Sequence, residues 1–445
     1  MDDITFKLRK KNLTALSKLT PINIVLYLDK YIIGQDKAKR AVSIALRNRW
    51  RRQQVNIDMR EDIVPNNIIL IGPTGVGKTE IARRLANLTN APFIKVEASK
   101  FTEVGYVGRD VESMIRELMD FAYNQVRTEF SKEFEHEAFK KAVDKILDIL
   151  LPDHFPDDKT KNTKTRKPTE SRTKLRMQII SAQIDDRKIT VPIDDIAVGP
   201  IEIYSPMMGI ENFDFNLSEM LSNILPSKKE KTKEMTVKDA LLYFTEVEAG
   251  KLISRERIIE EAKYRVENNG IIFIDEIDKI ASQDKKSNAD VSRSGVQRDL
   301  LPIVEGSNVP TKYGMINTTH VLFIAAGAFH IAKPSDLIPE LQGRFPIRVE
   351  LNSLSKNDFE EILIRPKNAL IKQYKAMFKT EKVDLSFESE AISEIANYAA
   401  IANEKMEDIG ARRLQTILNA ILDDYLFNMP NPKMKKIAIN KKMVI

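Results

Sequence analysis

The order of apolar and polar residues predicts alternating strands and helices over the first 350 residues of the chain. Short apolar runs, typical of strands buried in a parallel sheet, occupy Ile68–Ile71, Gly270–Ile274 and His320–Ala325, and Pro92–Val96 also reads as a strand. Helices are predicted around these strands because the apolar residues between them recur at helical spacing. The alternation predicts an α/β fold with a parallel sheet.

Further helices are predicted from caps and from apolar periodicity. Ile22–Gln35 reads as a short helix, and Asp36–Gln54 reads as a longer one. Ser355 to Asp358 has the pattern of a capping box before a helix that contains Phe359. Lys435–Ile439 is a predicted closing strand. Two helices each place apolar residues on one face: Val111, Ile115, Leu118, Met119, Ala122 and Val126 in the first, and Leu414, Ile417, Leu418, Ile421 and Tyr425 in a helix that starts near Gly410.

The segment Gly72–Thr79 follows the first buried strand and fits the phosphate-loop pattern G-x-x-x-x-G-K-[ST]. Glycines let backbone N–H groups approach phosphate oxygens, and Lys78 supplies a cation for the β- and γ-phosphates. The Thr79 hydroxyl is a candidate ligand for Mg²⁺. With a strand before it and a helix after it, the segment predicts a nucleoside triphosphate site.

Two carboxylates, Asp275 and Glu276, end the strand that begins after Gly270. In phosphate-loop enzymes an Asp at such a strand end holds the metal ion, and a neighbouring Glu polarises the attacking water. Asp275 is therefore predicted to serve Mg²⁺ and Glu276 to act as general base. The two motifs together predict ATP hydrolysis.

The distance between these motifs predicts an insertion. Lys78 and Asp275 are 197 positions apart, several times the separation that strands and helices joined by short loops require. Within the interval, Lys159–Pro168 is rich in Lys and Thr and poor in apolar residues, and a second lysine run covers Lys228–Lys233. We expect the inserted stretch to be partly disordered.

Composition narrows the class of protein. At 445 residues the chain exceeds what one core usually supports, and 42% hydrophobic with 30% charged residues is a soluble globular mix. No apolar run is long enough to cross a bilayer, so no membrane partner is expected. The absence of cysteine excludes disulfides, thiolate catalysis and cysteine zinc sites, and it fits a cytoplasmic location.

The formal net charge of the chain is +6, and an excess of basic residues can indicate nucleic-acid binding. The lysines are spread along the chain rather than gathered in one patch, so nucleic acid is not the expected partner. The stretch Arg47–Arg52 combines several arginines with Trp50. One aromatic residue is too few for base stacking, so the stretch is interpreted as a solvated helix face with Trp50 packed inward.

Several motifs, in this order along the chain, make the sequence resemble the HslU family (also called ClpY), the AAA+ ATPases of the bacterial HslUV protease. They are Tyr31–Gln35, Ile71–Ile81, Phe101–Gly108, Phe273–Lys279, Leu337–Arg344 and Ile409–Arg413. The resemblance covers about Pro21 to Ile439. It implies an AAA+ phosphate-loop core with a parallel sheet, a large and mostly helical inserted domain, and a smaller, mainly helical C-terminal domain.

This resemblance also implies domain limits and an assembly. The core would comprise residues 21–122 and 263–351, the inserted domain 123–262 and the C-terminal sensor 2 domain 352–445. Residues 1–20 are basic and polar and are interpreted from the sequence itself as an extension, without a recognisable counterpart in the family. The implied assembly is a homo-hexameric ring. It would bind ATP and Mg²⁺ between subunits, unfold protein substrates and thread them into the HslV peptidase.

Residue roles follow from the resemblance position by position. Ile33 corresponds to the apolar contact with adenine, and Glu340 corresponds to a nucleotide-site position. Arg344 resembles an arginine finger that reaches a neighbour's γ-phosphate, and Arg412 resembles the sensor 2 arginine. The phosphate-binding loop and the start of its helix correspond to Gly75, Val76, Gly77, Lys78, Thr79 and Glu80.

The segment Gly105, Tyr106, Val107 and Gly108 corresponds to the substrate-gripping pore loop. An aromatic ring on a permissive glycine backbone can press a flat apolar face onto almost any polypeptide. Tyr106 is therefore the predicted grip.

Two departures from the family keep alternatives open. The sequence stops at Ile445 without a recognisable apolar docking tail, which leaves a stand-alone unfoldase as an alternative to a partner of HslV. Ala325–Gly327 offers no hydroxyl for a γ-phosphate sensor. A nucleic-acid-translocating AAA+ motor is the less favoured alternative, and a ClpX-like unfoldase is disfavoured by the missing cysteines.

Overall fold

The computed structural model describes residues 17–60, 62–102, 109–151, 170–193, 231–252, 254–281, 288–431 and 435–444. Its helices are α1 Pro21–Leu28, α2 Asp36–Gln54, α3 Ile57–Arg60, α4 Lys78–Thr89, α5 Ser113–Leu150, α6 Glu170–Ile180, α7 Val237–Leu252, α8 Arg255–Asn269, α9 Asn288–Glu305, α10 Pro339–Arg344, α11 Lys356–Ile364, α12 Leu370–Thr380, α13 Ser389–Lys405 and α14 Arg412–Phe427. Its strands are β1 Ile68–Ile71, β2 Phe93–Glu97, β3 Lys188–Ile193, β4 Lys231–Thr236, β5 Ile271–Asp275, β6 Asn308–Thr311, β7 Gly314–Asn317, β8 Leu322–Gly327, β9 Ile347–Glu350, β10 Asp384–Phe387 and β11 Lys436–Ile439.

A parallel sheet with the strand order β2-β5-β8-β1-β9 organises the nucleotide-motif region. Strand β8 is buried along its whole length, and Ile68, Ile69 and Leu70 of β1 are fully buried. Strands covered on both faces read as continuous apolar runs, which is why the sequence pattern identifies them. The predicted α/β fold with a parallel sheet is confirmed.

The register of the sheet sets the position of both motifs. Strand β1 pairs with β8 so that Ile71 lies opposite Gly327, and β2 pairs with β5 so that Glu97 lies opposite Asp275. Because parallel strands share a direction, their carboxyl ends lie along one edge of the sheet. The segment after β1 and the carboxylates at the end of β5 are therefore brought to the same edge.

Helices α1, α2 and α4 contribute to one hydrophobic core with this sheet. The buried side chains include Leu28, Val42 and Leu85, which belong to a cluster with Leu70 and Phe273. Burial of such side chains stabilises the fold by about 1.5–3 kcal/mol each relative to exposure.

The helix predicted over Ile22–Gln35 is shorter in the structure. It ends at Leu28, and Gly34 and Gln35 have φ angles of +63° and +60°. A left-handed residue cannot continue a right-handed helix, so the chain turns here before α2 begins at Asp36. The prediction of one helix up to Gln35 is wrong.

The basic stretch of α2 also differs from its prediction. Arg49 and Arg52 are buried, with 7% and 6% of their surface exposed, while Trp50 is only half-buried. The Arg47 guanidinium lies 3.7 Å from the centroid of the Trp50 ring. The predicted solvated face is therefore wrong for Arg49 and Arg52, because their guanidinium groups reach backbone carbonyls at the end of α8 and at the end of α3.

The C-terminal region has a hydrophobic cluster of its own. It joins α11 to α14 with the parallel pair β10–β11, and Phe359, Phe378, Ile395, Leu418 and Ile439 are among its buried members. The predicted capping box is present, because the Ser355 hydroxyl accepts from the Asp358 amide and the Asp358 carboxylate accepts from the Ser355 amide.

The fold separates into two compact units, Met1–Val126 with Glu256–Ile445, and Arg127–Arg255. In the second unit the antiparallel pair β3–β4 packs with helices around a cluster that includes Ile146, Ile179, Val191, Val237 and Phe244. The predicted inserted domain, 123–262, extends beyond both ends of the second unit, and the lysine run Lys159–Pro168 falls within that unit's part of the sequence. That run lies outside the described residues, as does part of Lys228–Lys233. None of the helices described above has the length and apolarity needed to traverse a lipid bilayer.

Candidate functional site

The loop between β1 and α4 has a backbone that only glycine adopts readily at three positions. Gly72, Gly75 and Gly77 have φ angles of +151°, +78° and +106°. The loop continues the sheet ladder, since the Gly72 amide donates to the Gly327 carbonyl at 3.1 Å. Successive backbone amides in such a turn, followed by a helix N-terminus, form a concavity suited to an anion.

Lys78 is the buried cation of this loop. Its Nζ donates to the carbonyl oxygens of Gly72 and Pro73 at 2.5 and 2.7 Å. Burial is the main cause that lowers the pKa of Lys78; the charge of Arg412 adds to the lowering, and Asp275 and Asp278 oppose it. The ammonium is thus held inside the loop by carbonyls that a phosphate oxygen can replace as partner.

Asp275 and Glu276 occupy the carboxyl end of β5, each with a partner. Lys95 on β2 forms an ion pair with Asp275, Nζ to Oδ2, at 2.8 Å. The Ser99 hydroxyl donates to Glu276 Oε2 at 3.0 Å. Glu276 has a φ angle of +57°, which turns the chain away from the strand direction directly after Asp275.

A cavity of about 290 Å³ lies beside the phosphate loop. Its apolar walls include Ile32, Ile33, Leu354 and Leu370, and Arg412 contributes a cation. Of the predicted site residues, the structure brings these into the cavity wall: Ile33, Gly75, Val76, Gly77, Glu80 and Arg412. An apolar slot that opens on a phosphate loop suits a flat heterocycle linked to phosphates.

The C-terminal region contacts the phosphate loop through two glycines. The Ala411 amide donates to the Gly75 carbonyl at 3.1 Å. A Cβ added at Gly75 would lie 2.1 Å from the Ile409 carbonyl oxygen, and one at Gly410 would lie 2.6 Å from the Thr74 carbonyl oxygen. This backbone contact positions Arg412, at the start of α14, beside the cavity.

Glu80, on the first turn of α4, forms ion pairs with Arg83 and Arg84. Burial alone would raise the pKa of Glu80, but the hydrogen bonds from Arg83 and Arg84 outweigh it and lower the pKa. The Arg84 guanidinium also lies over the Tyr31 ring, 3.9 Å from its centroid. These contacts of Glu80 with Arg83 and Arg84, and of Arg84 with Tyr31, thus hold the cavity wall next to Ile33 in place.

Glu340 and Arg344 lie on the short helix α10 and do not line this cavity. Both are exposed, and the Arg344 Nε donates to Glu305 Oε1 at 2.9 Å. Within one chain, the structure therefore does not bring Glu340 or Arg344 to the phosphate loop. The predicted pore-loop residues Gly105, Tyr106, Val107 and Gly108 lie outside the described residues.

The sequence predicts Thr79 and Asp275 as the residues that hold Mg²⁺. No cluster of three or more His, Cys, Asp or Glu side chains suited to a metal occurs in the described part of the chain. Mg²⁺ is commonly held by one or two protein oxygens together with substrate phosphates, so a hydroxyl and one carboxylate fit this ion.

The sequence pattern does not predict three partners of the site: Lys95, Ser99 and Glu305. Lys95 carries a detectable signal, because it is a charged residue within an otherwise apolar predicted strand. Ser99 and Glu305 carry none, since their partners Glu276 and Arg344 are far away in sequence. Only the pairing of β2 with β5 and the packing of α9 near α10 reveal them.

Comparisons with known proteins agree with this geometry. Residues 68–134 match the family model for the ATPase family associated with various cellular activities (AAA), and residues 197–348 match the model for the AAA domain (Cdc48 subfamily). Curated relatives named ATP-dependent protease ATPase subunit HslU include those of Persephonella marina, Desulfovibrio desulfuricans and Rickettsia conorii. They are 53%, 50% and 52% identical to this chain over 96%, 97% and 96% of its length, and the matches cover 95%, 96% and 93% of the relatives.

Proposed function

Because this chain belongs to the HslU family of ATPase subunits of ATP-dependent proteases, we propose that it hydrolyses Mg·ATP to unfold protein substrates and deliver them to an HslV-type peptidase. One observation carries the chemical part of the proposal. A buried lysine in the glycine loop after β1, two carboxylates at the end of β5, and an apolar cavity lie on one edge of the sheet, with β8 between the two strands.

Each residue has a role in this proposal. Lys78 and the amides of Gly75 to Gly77 bind the β- and γ-phosphates, and Ile33 contacts the adenine. Thr79 and Asp275 would hold Mg²⁺, which supplies charge neutralisation of the phosphates when bound. Glu276 takes the proton of the attacking water as general base.

Two arginines stabilise negative charge on the transferred phosphoryl group in this proposal. Arg412 acts within the chain, from the C-terminal region that contacts the phosphate loop. Arg344 acts on the nucleotide of a neighbouring subunit in a homo-hexameric ring, with Glu340 near it on the same short helix. An arginine supplied across an interface makes hydrolysis depend on assembly.

The domain assignment belongs to the same proposal. Residues 21–122 and 263–351 form the AAA+ core, 123–262 the inserted domain, and 352–445 the sensor 2 domain. Tyr106, between Gly105 and Gly108, grips the polypeptide in the ring pore. The cytoplasmic location expected from the sequence is also part of this proposal.

One assay tests the proposal. The purified chain is mixed with HslV, Mg·ATP and casein, and both ATP turnover and casein cleavage are followed, with Tyr106→Ala as the matched variant. We expect cleavage only with ATP and HslV together, and we expect Tyr106→Ala to retain ATP turnover and lose casein cleavage.

The same assay separates the alternatives. ATP turnover without stimulation of HslV would favour a stand-alone unfoldase. Turnover stimulated by nucleic acid, and weakened steeply by salt, would favour a nucleic-acid motor. The relatives above lend support to neither alternative, since their names describe the ATPase subunit of a protease.

A further inference from the structure

A second cavity, of about 270 Å³, lies at the end of α2 and is separate from the nucleotide cavity. Its walls come from the C-terminal half of α2, the segment that follows α3, and the turn before β8. Its polar lining residues are Asn48, Arg49, Arg51, Arg52, Asn66 and His320.

This cavity lies at the opposite edge of the sheet from the phosphate loop. Asn66 comes shortly before β1, and His320 comes shortly before β8. Gly270, whose carbonyl contacts Arg49, directly precedes β5. In a parallel sheet the amino ends of the strands share one edge, so the two cavities are on different sides of the core.

Two arginines of this cavity, Arg49 and Arg52, are buried, and neither has an acidic partner among the described residues. Arg49 donates to the carbonyls of Asn268, Asn269, Gly270 and His320 at 2.8–3.3 Å. These carbonyls include the last ones of α8, where the helix dipole places partial negative charge, and so offset the cation only in part.

The hydrogen-bond acceptors of Arg52 are likewise uncharged, and two further arginines, Arg51 and Arg60, lie nearby. It donates to the Arg60 carbonyl and to the Asn268 side-chain oxygen, both at 3.2 Å. Arg60 also reaches Asn268 Oδ1, at 3.5 Å, and Arg51 donates to Asn48 Oδ1 at 2.9 Å. Among the described residues, no carboxylate lines the cavity or pairs with Arg49, Arg51, Arg52 or Arg60.

Lys39, on the same helix, is a buried cation that is paired with carboxylates, and it serves as a comparison for the arginines. It is 2% exposed, and its ammonium lies 2.5 Å from Asp29 Oδ1 and 2.9 Å from Asp36 Oδ1. Buried charges in proteins are normally paired in this way. The arginine cluster of the same helix is the exception.

The arginine cluster has lowered pKa values and contains buried nitrogen atoms that are open to a further hydrogen bond. Burial, reinforced by Arg52, lowers the pKa of Arg49 to about 9, and burial with Arg60 lowers that of Arg52 to about 10. Within the described part of the chain, Arg49 Nε and His320 Nδ1 are buried and have no hydrogen-bond partner. The unpaired charge and the free Arg49 Nε would both be satisfied by an anion that accepts hydrogen bonds.

We propose that this cavity is a binding site for a phosphate-type oxyanion, held by Arg49, Arg51 and Arg52. Planar guanidinium groups match the oxygens of phosphate, and several of them together are typical of phosphate recognition. The buried position of Arg49 and Arg52 suits a small anion that enters the recess, such as phosphate, pyrophosphate or tripolyphosphate. A nucleic-acid backbone would have to reach the same groups from outside.

Calorimetric titration of the full chain tests this site. The protein is first saturated with ADP so that the phosphate loop is filled, and inorganic phosphate, pyrophosphate and tripolyphosphate are titrated separately. We expect about one binding event per chain for at least one of these anions. Lys78→Ala should retain it, because Lys78 belongs to the opposite edge of the sheet.

Two variants and a control locate the anion. Arg51→Gln and Arg52→Gln should each weaken binding by about tenfold, the effect expected when a charged hydrogen bond is lost. Arg51 is exposed, so Arg51→Gln tests the site even if Arg52→Gln unfolds the chain. Arg365→Gln is the matched control, since Arg365 is an exposed arginine whose ion pair with Glu361 lies elsewhere.

Three results would overturn the proposal. One is the absence of saturable binding for all three anions in the ADP-saturated protein. Another is equal binding in the parent chain, Arg51→Gln and Arg52→Gln. The third is binding of a DNA or RNA duplex that requires Arg52 while the small anions do not bind, which would assign the cluster to nucleic acid.

Discussion

The Ser99 hydroxyl donates a hydrogen bond to the Glu276 carboxylate across 3.0 Å, and so joins the segment after β2 to the end of β5. The two residues are 177 positions apart and meet only because β2 and β5 are neighbours in the sheet. Glu276 is exposed, and the hydrogen bond from Ser99 holds its carboxylate in one orientation.

Replacing Ser99 tests that orientation. Ser99→Ala should lower the kcat for ATP hydrolysis by roughly three- to tenfold, because a general base that loses its orientation takes the proton less efficiently. The KM for ATP should not change, since Ser99 does not line the nucleotide cavity. Steady-state ATPase kinetics measure both constants. Ser99→Thr keeps a hydroxyl and should retain turnover, and an unaltered kcat in Ser99→Ala would count against the positioning role.

Glu276→Gln should separate nucleotide binding from hydrolysis. The amide cannot take a proton, so turnover should fall by about 10²- to 10⁴-fold while ATP still binds to the loop around Lys78. Turnover is followed by phosphate release and binding by a fluorescent ATP analogue. Glu97→Gln, at the end of the neighbouring strand, is the matched control and should turn over normally. Normal turnover in Glu276→Gln would refute its assignment as general base.

Arg344 should act on a neighbouring subunit, because it lies on α10, is paired with Glu305 and does not line the nucleotide cavity of its own chain. Arg344→Gln and Lys78→Ala should each lose ATP turnover; for an arginine finger the loss is about 10³-fold or more. Mixed rings should regain part of the activity, since an intact loop of one variant meets an intact arginine of the other.

The mixing experiment is read as ATPase rate against the ratio of the two variants. A maximum at intermediate ratios supports action across an interface. A rate that stays at the level of the separate variants at every ratio, in rings whose mixed composition is verified by mass spectrometry, would show that Arg344 does not complement in this way.

Gly75→Ala should disrupt the contact between the phosphate loop and the C-terminal region. The new Cβ would lie 2.1 Å from the Ile409 carbonyl oxygen, and a φ angle of +78° is unfavourable for alanine. We expect a lower thermal unfolding midpoint and weaker nucleotide binding, since the segment that carries Arg412 must move. Gly343→Ala is the control for stability, because its Cβ would meet nothing within 4 Å. Equal unfolding midpoints for the two variants would show that the close contact at Gly75 does not limit stability.

His320 should make the fold sensitive to acid. Burial and the nearby Arg52, Arg49 and Arg60 lower the pKa of His320 from 6.5 to about 4. A group whose pKa is lower in the folded state stabilises the fold above its unfolded pKa, and this stabilisation is lost as the pH falls from about 6.5 towards 4. His320→Gln removes the titrating group, so its unfolding midpoint should fall less over this pH range than that of the parent chain. Parallel curves for the two proteins would show that His320 does not contribute.

Much of the sheet could be predicted from local sequence. The run Ile68–Ile71 coincides with β1, because a strand buried on both faces needs an uninterrupted apolar run. The run that begins at His320 is shifted, since His320 lies in a turn and β8 covers Leu322–Gly327. Val321 is as buried and apolar as the strand residues that follow it, so only the hydrogen bonding of the sheet separates them.

The errors have a common physical cause. The sequence pattern predicts solvated side chains for Arg49 and Arg52 because charge usually stays in water. They are buried because carbonyls from α8 and from Arg60 converge on them, and these acceptors are backbone atoms without any sequence signature. Ser99 and Glu305 also lack a sequence signature. Their contacts with Glu276 and Arg344 form because the elements that carry them are neighbours in the fold.

Local sequence was sufficient to predict the glycine loop after β1, the carboxylates at the end of β5 and the parallel sheet that carries them. Glycine content, apolar runs and charge at strand ends are local properties, and local sterics and burial control them. The folded chain alone reveals which distant residues meet these groups: Ser99 at Glu276, Gly410 at Gly75, and the arginines of α2 at a recess to which the described residues supply no carboxylate. Such meetings depend on strand order and packing, which a linear pattern does not encode.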